Sequence, residues 1–210
     1  MNVEIFDLLK KIFNEHGFRL YMIGSTSRDF LFGRKIHDFD FVTDATPIDS
    51  LKFLKANETF KKYGVLKLKI NNENVDIVTL REEKNYIDHR HPNVITFVNS
   101  LDIDVKRRDF TINAIYINEK YEVEKVSLPF LDDIKNRRLK FIGDPLTRIQ
   151  EDPLRILRAK RFIKEYNLNV DESLRKLLKD NERLVTLLNK CKVEEENKKY
   201  NAVLEEEYDI

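Results

Sequence analysis

The sequence is poor in glycine, with five in 210 residues, and it holds a single cysteine. Cys191, standing alone, excludes a disulfide framework and any cysteine-based zinc site. Charge of one sign is missing as well: 38 Lys+Arg stand against 37 Asp+Glu, a formal net charge of +1. That balance argues against a protein that coats a polyanion with its whole surface, while leaving room for a local basic face. No apolar run approaches the roughly 20 residues of a membrane-spanning helix. Residues 1–10 carry Glu4 and Asp7 and read as the start of an amphipathic helix, not as a signal peptide. These absences lead to the expectation of a soluble, cytoplasmic protein with no membrane partner.

What is present is enough for a core and for more than one layer. The length allows one large domain or two small ones, and a chain of this size buries on the order of 70% of its unfolded surface. Ile5, Phe6, Leu9, Ile12 and Phe13 recur at helical spacing and predict a helix over 3–16, closed by Gly17. A short apolar strand over 19–23 is broken by Gly24-Ser25-Thr26, and a short helix follows to Gly33. Residues 37–42 alternate acid and apolar side chains, as a half-buried strand does. Thr46-Pro47 caps and opens another helix, running to about Lys55. Val65–Ile70 and Val75–Leu80, joined by a turn at 71–74, read as a hairpin. From about Pro145 the pattern becomes helical, with Leu154, Leu157, Ala159 and Phe162 on one helix. The leucines from Leu174 to Leu188 form one or two more, as core or docking seam. The expected fold class is α+β, with a small mixed or antiparallel sheet and helices over 1–144 and an all-helical domain over 145–210.

The chemistry concentrates in a few places. Asp38-Phe39-Asp40 places two carboxylates two residues apart, on one face of a strand. Taken alone, such a pair is either a solvated strand face or a site for a hard divalent cation such as Mg²⁺, which resolves the repulsion between the acids. About 14 residues upstream, Gly24-Ser25 lies at a strand-to-helix turn, where backbone N–H groups and a hydroxyl can meet an anion, and Arg28 adds a cation. A phosphate cradle beside a carboxylate pair suits metal-assisted phosphoryl or nucleotidyl transfer, in which two ions clamp the attacking and leaving oxygens. Asp76, on an otherwise apolar strand, is either a third acid for such a site or a solvent-facing residue. Asp152 and Arg155, three apart, present an acceptor and a planar donor that together could meet a base edge; the simpler reading is an N-cap before Pro153. Arg155, Arg158, Lys160, Arg161 and Lys164 form a basic helix that suits a phosphate backbone or a solvated face. The four histidines show no metal spacing on any one element.

Four motifs in order carry a resemblance to a known family. They are Ile23-Gly24-Ser25 with Arg28-Asp29, then Asp38-x-Asp40, then Arg107-Arg108-Asp109-Phe110-Thr111-Ile112-Asn113-Ala114, then Glu151-Asp152-Pro153-Leu154-Arg155 with Arg158-Ala159 and Arg161-Phe162. Together they resemble the CCA-adding tRNA nucleotidyltransferase and bacterial poly(A) polymerase family, among the polymerase-β-like nucleotidyltransferases. Thr43-Asp44-Ala45 with Pro47, and Tyr86, Asp88, Arg90 and Pro92, are similar to it too. The resemblance implies a polymerase-β-like head followed by a helical neck, short relative to the family. It implies that Asp38 and Asp40 bind the catalytic Mg²⁺, with Asp76 as the third acid. It gives Gly24, Ser25 and Arg28 to the triphosphate, Arg108 and Asp109 to phosphates and ribose, and Asp152 with Arg155 to the base of incoming CTP or ATP. Arg158 belongs to the same nucleotide-binding motif, and Arg161 and Lys164 are candidates for RNA contact.

The implied activity is template-independent addition of CMP or AMP to a tRNA 3′ end. Alternatives are a CC-only, A-only or poly(A)-type polymerase, a non-catalytic RNA- or nucleotide-binding derivative, or a transferase acting on a protein or small molecule. Two features depart from the family. Ser25 stands where a second glycine is usual, and Leu128-Pro129-Phe130-Leu131-Asp132-Asp133 lacks the acid before Pro-Phe and the glycine pair after it. The family also continues into further helical domains, so the resemblance leaves the RNA platform to a second copy in a homo-oligomer or to a partner protein.

Overall fold

A computed structural model describes residues 3–86, 92–127 and 130–206. Asp88, Arg90, Leu128 and Pro129, named above, lie outside the described residues. Two compact units emerge, one comprising 1–83, 94–108 and 112–131, the other 84–93, 109–111 and 132–210.

The first unit opens with α1 (Glu4–Glu15), which buries Ile5, Phe6, Leu9 and Phe13, the face expected from its periodicity. Gly17, at φ 79°, takes the left-handed turn after it. Next come β1 (Leu20–Met22), α2 (Gly24–Leu31), β2 (Phe39–Thr43) and α3 (Pro47–Ser50), then β3 (Val65–Ile70) and β4 (Glu73–Thr79). The four strands form one sheet in the order β1-β2-β4-β3. It is mixed: β1 runs antiparallel to β2, β2 parallel to β4, and β4 antiparallel to β3. The β3–β4 turn is two residues, Asn71 and Asn72, both at positive φ (52° and 67°). A two-residue turn with both φ positive matches the twist of the flanking strands and sets their register. That register places Lys67 opposite Asp76, and β2 places Asp40 beside Asp76. Phe39, Phe41, Leu66, Val75 and Ile77 fill the buried face.

Three sequence expectations change here. The second helix begins at Gly24 instead of Ser27, so the Gly-Ser turn is itself the first turn of α2. β2 starts at Phe39, leaving Asp38 in the bend before it. α3 stops at Ser50, four residues in, even though Thr46 caps it by accepting from the Asp49 N–H at 3.2 Å. Two further strands, β5 (Arg81–Tyr86) and β6 (Pro92–Phe97), make a separate two-stranded sheet. The short helix α4 (Leu101–Asp104) belongs to the first unit, while α5 (Leu131–Lys135), apart from Leu131, belongs to the second.

The second unit is helical in its C-terminal part: α6 (Pro145–Glu151), α7 (Leu154–Glu165), α8 (Glu172–Asp180) and α9 (Lys190–Glu206). Asp144 caps α6 by accepting from the Thr147 N–H at 2.8 Å. Phe110, Phe141 and Phe162 pack together, with Phe110 4.7 Å from Phe141 and 5.8 Å from Phe162 between ring centroids. The leucine series does not continue as one helical seam. Leu174 and Leu178 are buried, but residues 182–187 form a 3₁₀ turn and Leu187 is exposed. The C-terminal stretch, inside the all-helical domain expected over 145–210, is α9. Its Glu196 is buried and accepts from Arg161 Nε at 2.6 Å. No helix among the described residues is long and apolar enough to cross a membrane.

Candidate active site

In the first unit the acids are organised by the start of α2. Ser25 donates its backbone N–H (3.1 Å) and its hydroxyl (2.6 Å) to Asp40 Oδ2. Thr26, fully buried, receives the Asp40 N–H on its Oγ1 at 2.6 Å and donates to the Asp38 carbonyl at 3.2 Å. The two hydroxyls therefore stitch the helix start to the bend and first residues of β2. Thr26 escaped the sequence reading, although a hydroxyl beside the Gly-Ser turn was the signal available. Gly24 is needed on two counts: its φ is 60°, and a Cβ there would lie 2.9 Å from Asp40 Oδ2. We expect Gly24→Ala to displace the Asp40 carboxylate and cost about 1–2 kcal/mol of backbone strain. Urea unfolding checks the second effect, and nucleotide incorporation checks the first.

Burial pushes the Asp40 carboxyl up, and the negative Asp76 adds to that; the Ser25 hydrogen bonds and the positive Arg28 act against them. Arg28 is buried, its Nη1 bonded to Asn113 Oδ1 at 2.5 Å and its Nε 3.5 Å from Asp29 Oδ1. Asp38 is exposed, and among the described residues nothing bonds its carboxylate or Asp40 Oδ1. These oxygens are hard donors suited to a divalent cation. Asp76 is occupied otherwise: Lys67 Nζ lies 2.7 and 3.0 Å from its two oxygens. Among the described residues no group of three acids, histidines or cysteines is gathered to hold a metal.

Arg108 belongs to a buried cluster that no single motif announced. Asp104, with no exposed surface, accepts from Arg107 Nε (2.8 Å), Arg108 Nε (2.9 Å), the Tyr116 hydroxyl (2.7 Å) and the Arg81 N–H (3.0 Å). Burial pushes the Asp104 carboxyl up, but Arg107 and Arg108 outweigh it and hold the group well below the usual carboxylate range. Tyr116 is pushed far up, chiefly by burial. Arg108 is thereby held against the Asp104 carboxylate and the Tyr116 hydroxyl.

In the second unit the predicted residues fall into internal pairs. Asp109 Oδ2 accepts from Arg158 Nε at 2.8 Å, and Arg158 lies over Phe162. Asp152 and Arg155 do not share a helix. Asp152 sits in the break between α6 and α7, where its Oδ1 accepts from the Leu154 N–H at 3.1 Å, the capping role that Pro153 suggested. Arg155 is buried and donates to the Arg148 carbonyl (2.6 Å) and to Glu151 (3.1 Å). The basic helix likewise splits by face, because successive residues are 100° apart. Arg161 is tied to Glu196 and Glu165. Lys164, with Lys160, Arg175 and Tyr200, instead lines an open groove of about 690 Å³.

Comparison with known proteins follows the same lines. The family described as the poly(A) polymerase head domain matches residues 20–140. A CCA-adding enzyme of Staphylococcus epidermidis is 41% identical over 177 residues, which are 81% of this chain and 44% of that enzyme. A solved CCA-adding enzyme of Bacillus stearothermophilus, in complex with CTP, superposes with a TM-score of 0.82 at 27% identity, covering 94% of this chain and 48% of that one. A tRNA nucleotidyltransferase complexed with a primer tRNA and an incoming ATP analogue gives a TM-score of 0.72 at 29% identity, covering 94% and 58%. The chain thus spans about half the length of the curated relatives it matches.

Proposed function

The chain belongs to the poly(A) polymerase head-domain family, and from that premise we propose that it is a template-independent RNA nucleotidyltransferase. Its substrates in this reading are CTP or ATP and a tRNA 3′ end. The terminal 3′ hydroxyl oxygen bonds to the α-phosphorus, the α–β phosphoanhydride bond breaks, and pyrophosphate leaves. The observation that carries the reading is the acid face itself: Asp40 gripped by Ser25, registered beside Asp76, with Gly24 and Thr26 shaped around it.

Asp38 and Asp40 are the residues that would hold Mg²⁺, their unbonded oxygens being the hard donors such an ion takes. Bound there, the ion supplies Lewis-acid stabilisation of charge on the reacting phosphate. The chain's own contribution is to orient. Ser25 and Thr26 fix the acid pair, while Gly24, Ser25 and Arg28 are assigned the triphosphate. Arg108, immobilised by Asp104 and Tyr116, meets the phosphates as a pre-set cation, so less side-chain freedom is lost on binding. Asp109 meets the ribose. Asp152 and Arg155, with Arg158, are assigned the base, and Lys164 the RNA. Arg161 was a candidate for RNA too; its buried pair with Glu196 on α9, beside a pair with Glu165 on its own helix, supports a structural part instead. Within this proposal, 1–144 form the head and 145–210 the neck.

The test is incorporation. Purified protein, Mg²⁺, labelled CTP or ATP, and tRNA ending before or within its CCA should yield label on the RNA. Phosphate contacts weaken as salt rises, so low ionic strength is the condition of choice. No incorporation with any cation or RNA end would refute the reading. Incorporation of CMP alone or AMP alone identifies a partial adder.

A further inference from the structure

The strand register lines up three charges on one face of the sheet. Lys67 on β3 is opposite Asp76 on β4, and Asp76 is beside Asp40 on β2. Lys67 makes two short contacts to the Asp76 carboxylate, and its side chain is 46% exposed against 32% for Asp76. The third acid is therefore engaged by a cation that the chain supplies, while Asp38 and Asp40 Oδ1 have no partner among the described residues. A half-exposed ion pair of this kind is weak, worth about twofold to fivefold in an equilibrium, and so is easily exchanged.

We propose that Lys67 is a built-in competitor for the divalent cation at Asp76, and that it is handed to the nucleotide's phosphates when nucleotide binds. The inference rests on the acid face being the cation site. A doubly charged ion shared between Asp40 and Asp76, which the register sets side by side, gains more than one ammonium gains from Asp76 alone. The displaced ammonium then lies on the face where the triphosphate arrives, and its new partner carries several negative charges. Cation and nucleotide binding each favour the other, and the coupling is reciprocal. Lys67 thus spares Asp76 from facing Asp40 as an uncompensated like charge in the empty protein, and contributes to nucleotide affinity in the loaded one.

The experiment measures binding, not turnover. Mn²⁺ affinity is read by calorimetry on the nucleotide-free protein, and CTP affinity is read with Ca²⁺ present, for wild type, Lys67→Met, Lys67→Arg and Asp40→Asn. We expect Lys67→Met to bind Mn²⁺ about twofold to tenfold more tightly, since a weak pair and a repelling charge are both removed. The same variant should bind CTP several-fold more weakly, because the ammonium offered to the phosphates is lost. Lys67→Arg keeps the charge and should stay near wild type in Mn²⁺ affinity. Mn²⁺ binding to Lys67→Met that is no tighter than wild type, while Asp40→Asn weakens it, overturns the role of Lys67 alone. Mn²⁺ binding that Asp40→Asn leaves undiminished overturns the cation site and this inference with it.

Discussion

Asp40→Asn should abolish nucleotide incorporation, by at least about a thousandfold, without unfolding the protein. Asparagine has the shape of aspartate and can still accept from the Ser25 hydroxyl and N–H, so the stitching of α2 to β2 survives. What disappears is the negative charge that would hold a divalent cation. The stability outcome discriminates this from simple damage. Burial and the adjacent Asp76 both oppose the charged form of Asp40, so a neutral isostere relieves that strain. The melting temperature is expected to equal or exceed wild type while the initial rate falls to background. A variant with a normal melting temperature and a rate within tenfold of wild type would remove Asp40 from the chemistry.

Asp104→Ala should be the most destabilising single change in the first unit. It removes one acceptor shared by two guanidinium groups, a buried tyrosine hydroxyl and a backbone N–H at once. Breaking a buried ion pair by removing one side costs about 3–5 kcal/mol, against a typical total of about 5–15 kcal/mol. The melting temperature should fall by roughly 6–20 °C for a chain of this size. The pH dependence gives an independent check with a definite sign. Asp104 is held below its unfolded value by Arg107 and Arg108 despite its burial. Its contribution is therefore complete above the unfolded pKa of about 4 and is lost as pH falls further, through the folded value. Urea midpoints of wild type and variant should differ most near neutrality and converge on acidification below pH about 4. A constant gap across that range would mean that the carboxylate charge is not what holds the cluster.

The fate of the basic helix shows how far sequence reading reaches. Five cations within ten residues of α7 look alike on paper, but a helix distributes them over different faces. Arg155, Arg158 and Arg161 turn inward to Glu151, Asp109 and Glu196; the first is an i, i+4 neighbour, but spacing could not nominate the other two, 49 and 35 residues away. Lys160 and Lys164 are left on the groove. Asp152 and Arg155 fail to share a helix for an equally local reason: Pro153 breaks the chain between α6 and α7, and the acid is used as a cap. How α9 is anchored was illegible because Glu196 meets Arg161, a contact 35 residues away in sequence.

Local rules were enough for several elements. The i, i+3, i+4 repeat of α1, the Thr46 cap with Pro47, and the Asn71-Asn72 turn each follow from backbone preferences acting over a few residues. So does the α+β class, and the order of the motifs was sufficient for the family. Tertiary structure alone decided that β2 and β4 run parallel, with Asp40 beside Asp76, and that Lys67 closes the row. It also decided that Ser25 serves Asp40 and that Asp104 anchors Arg108. The division has a physical cause. Propensity and capping energies are set within one or two turns of chain, whereas charge pairing and strand register depend on which distant segments burial brings together.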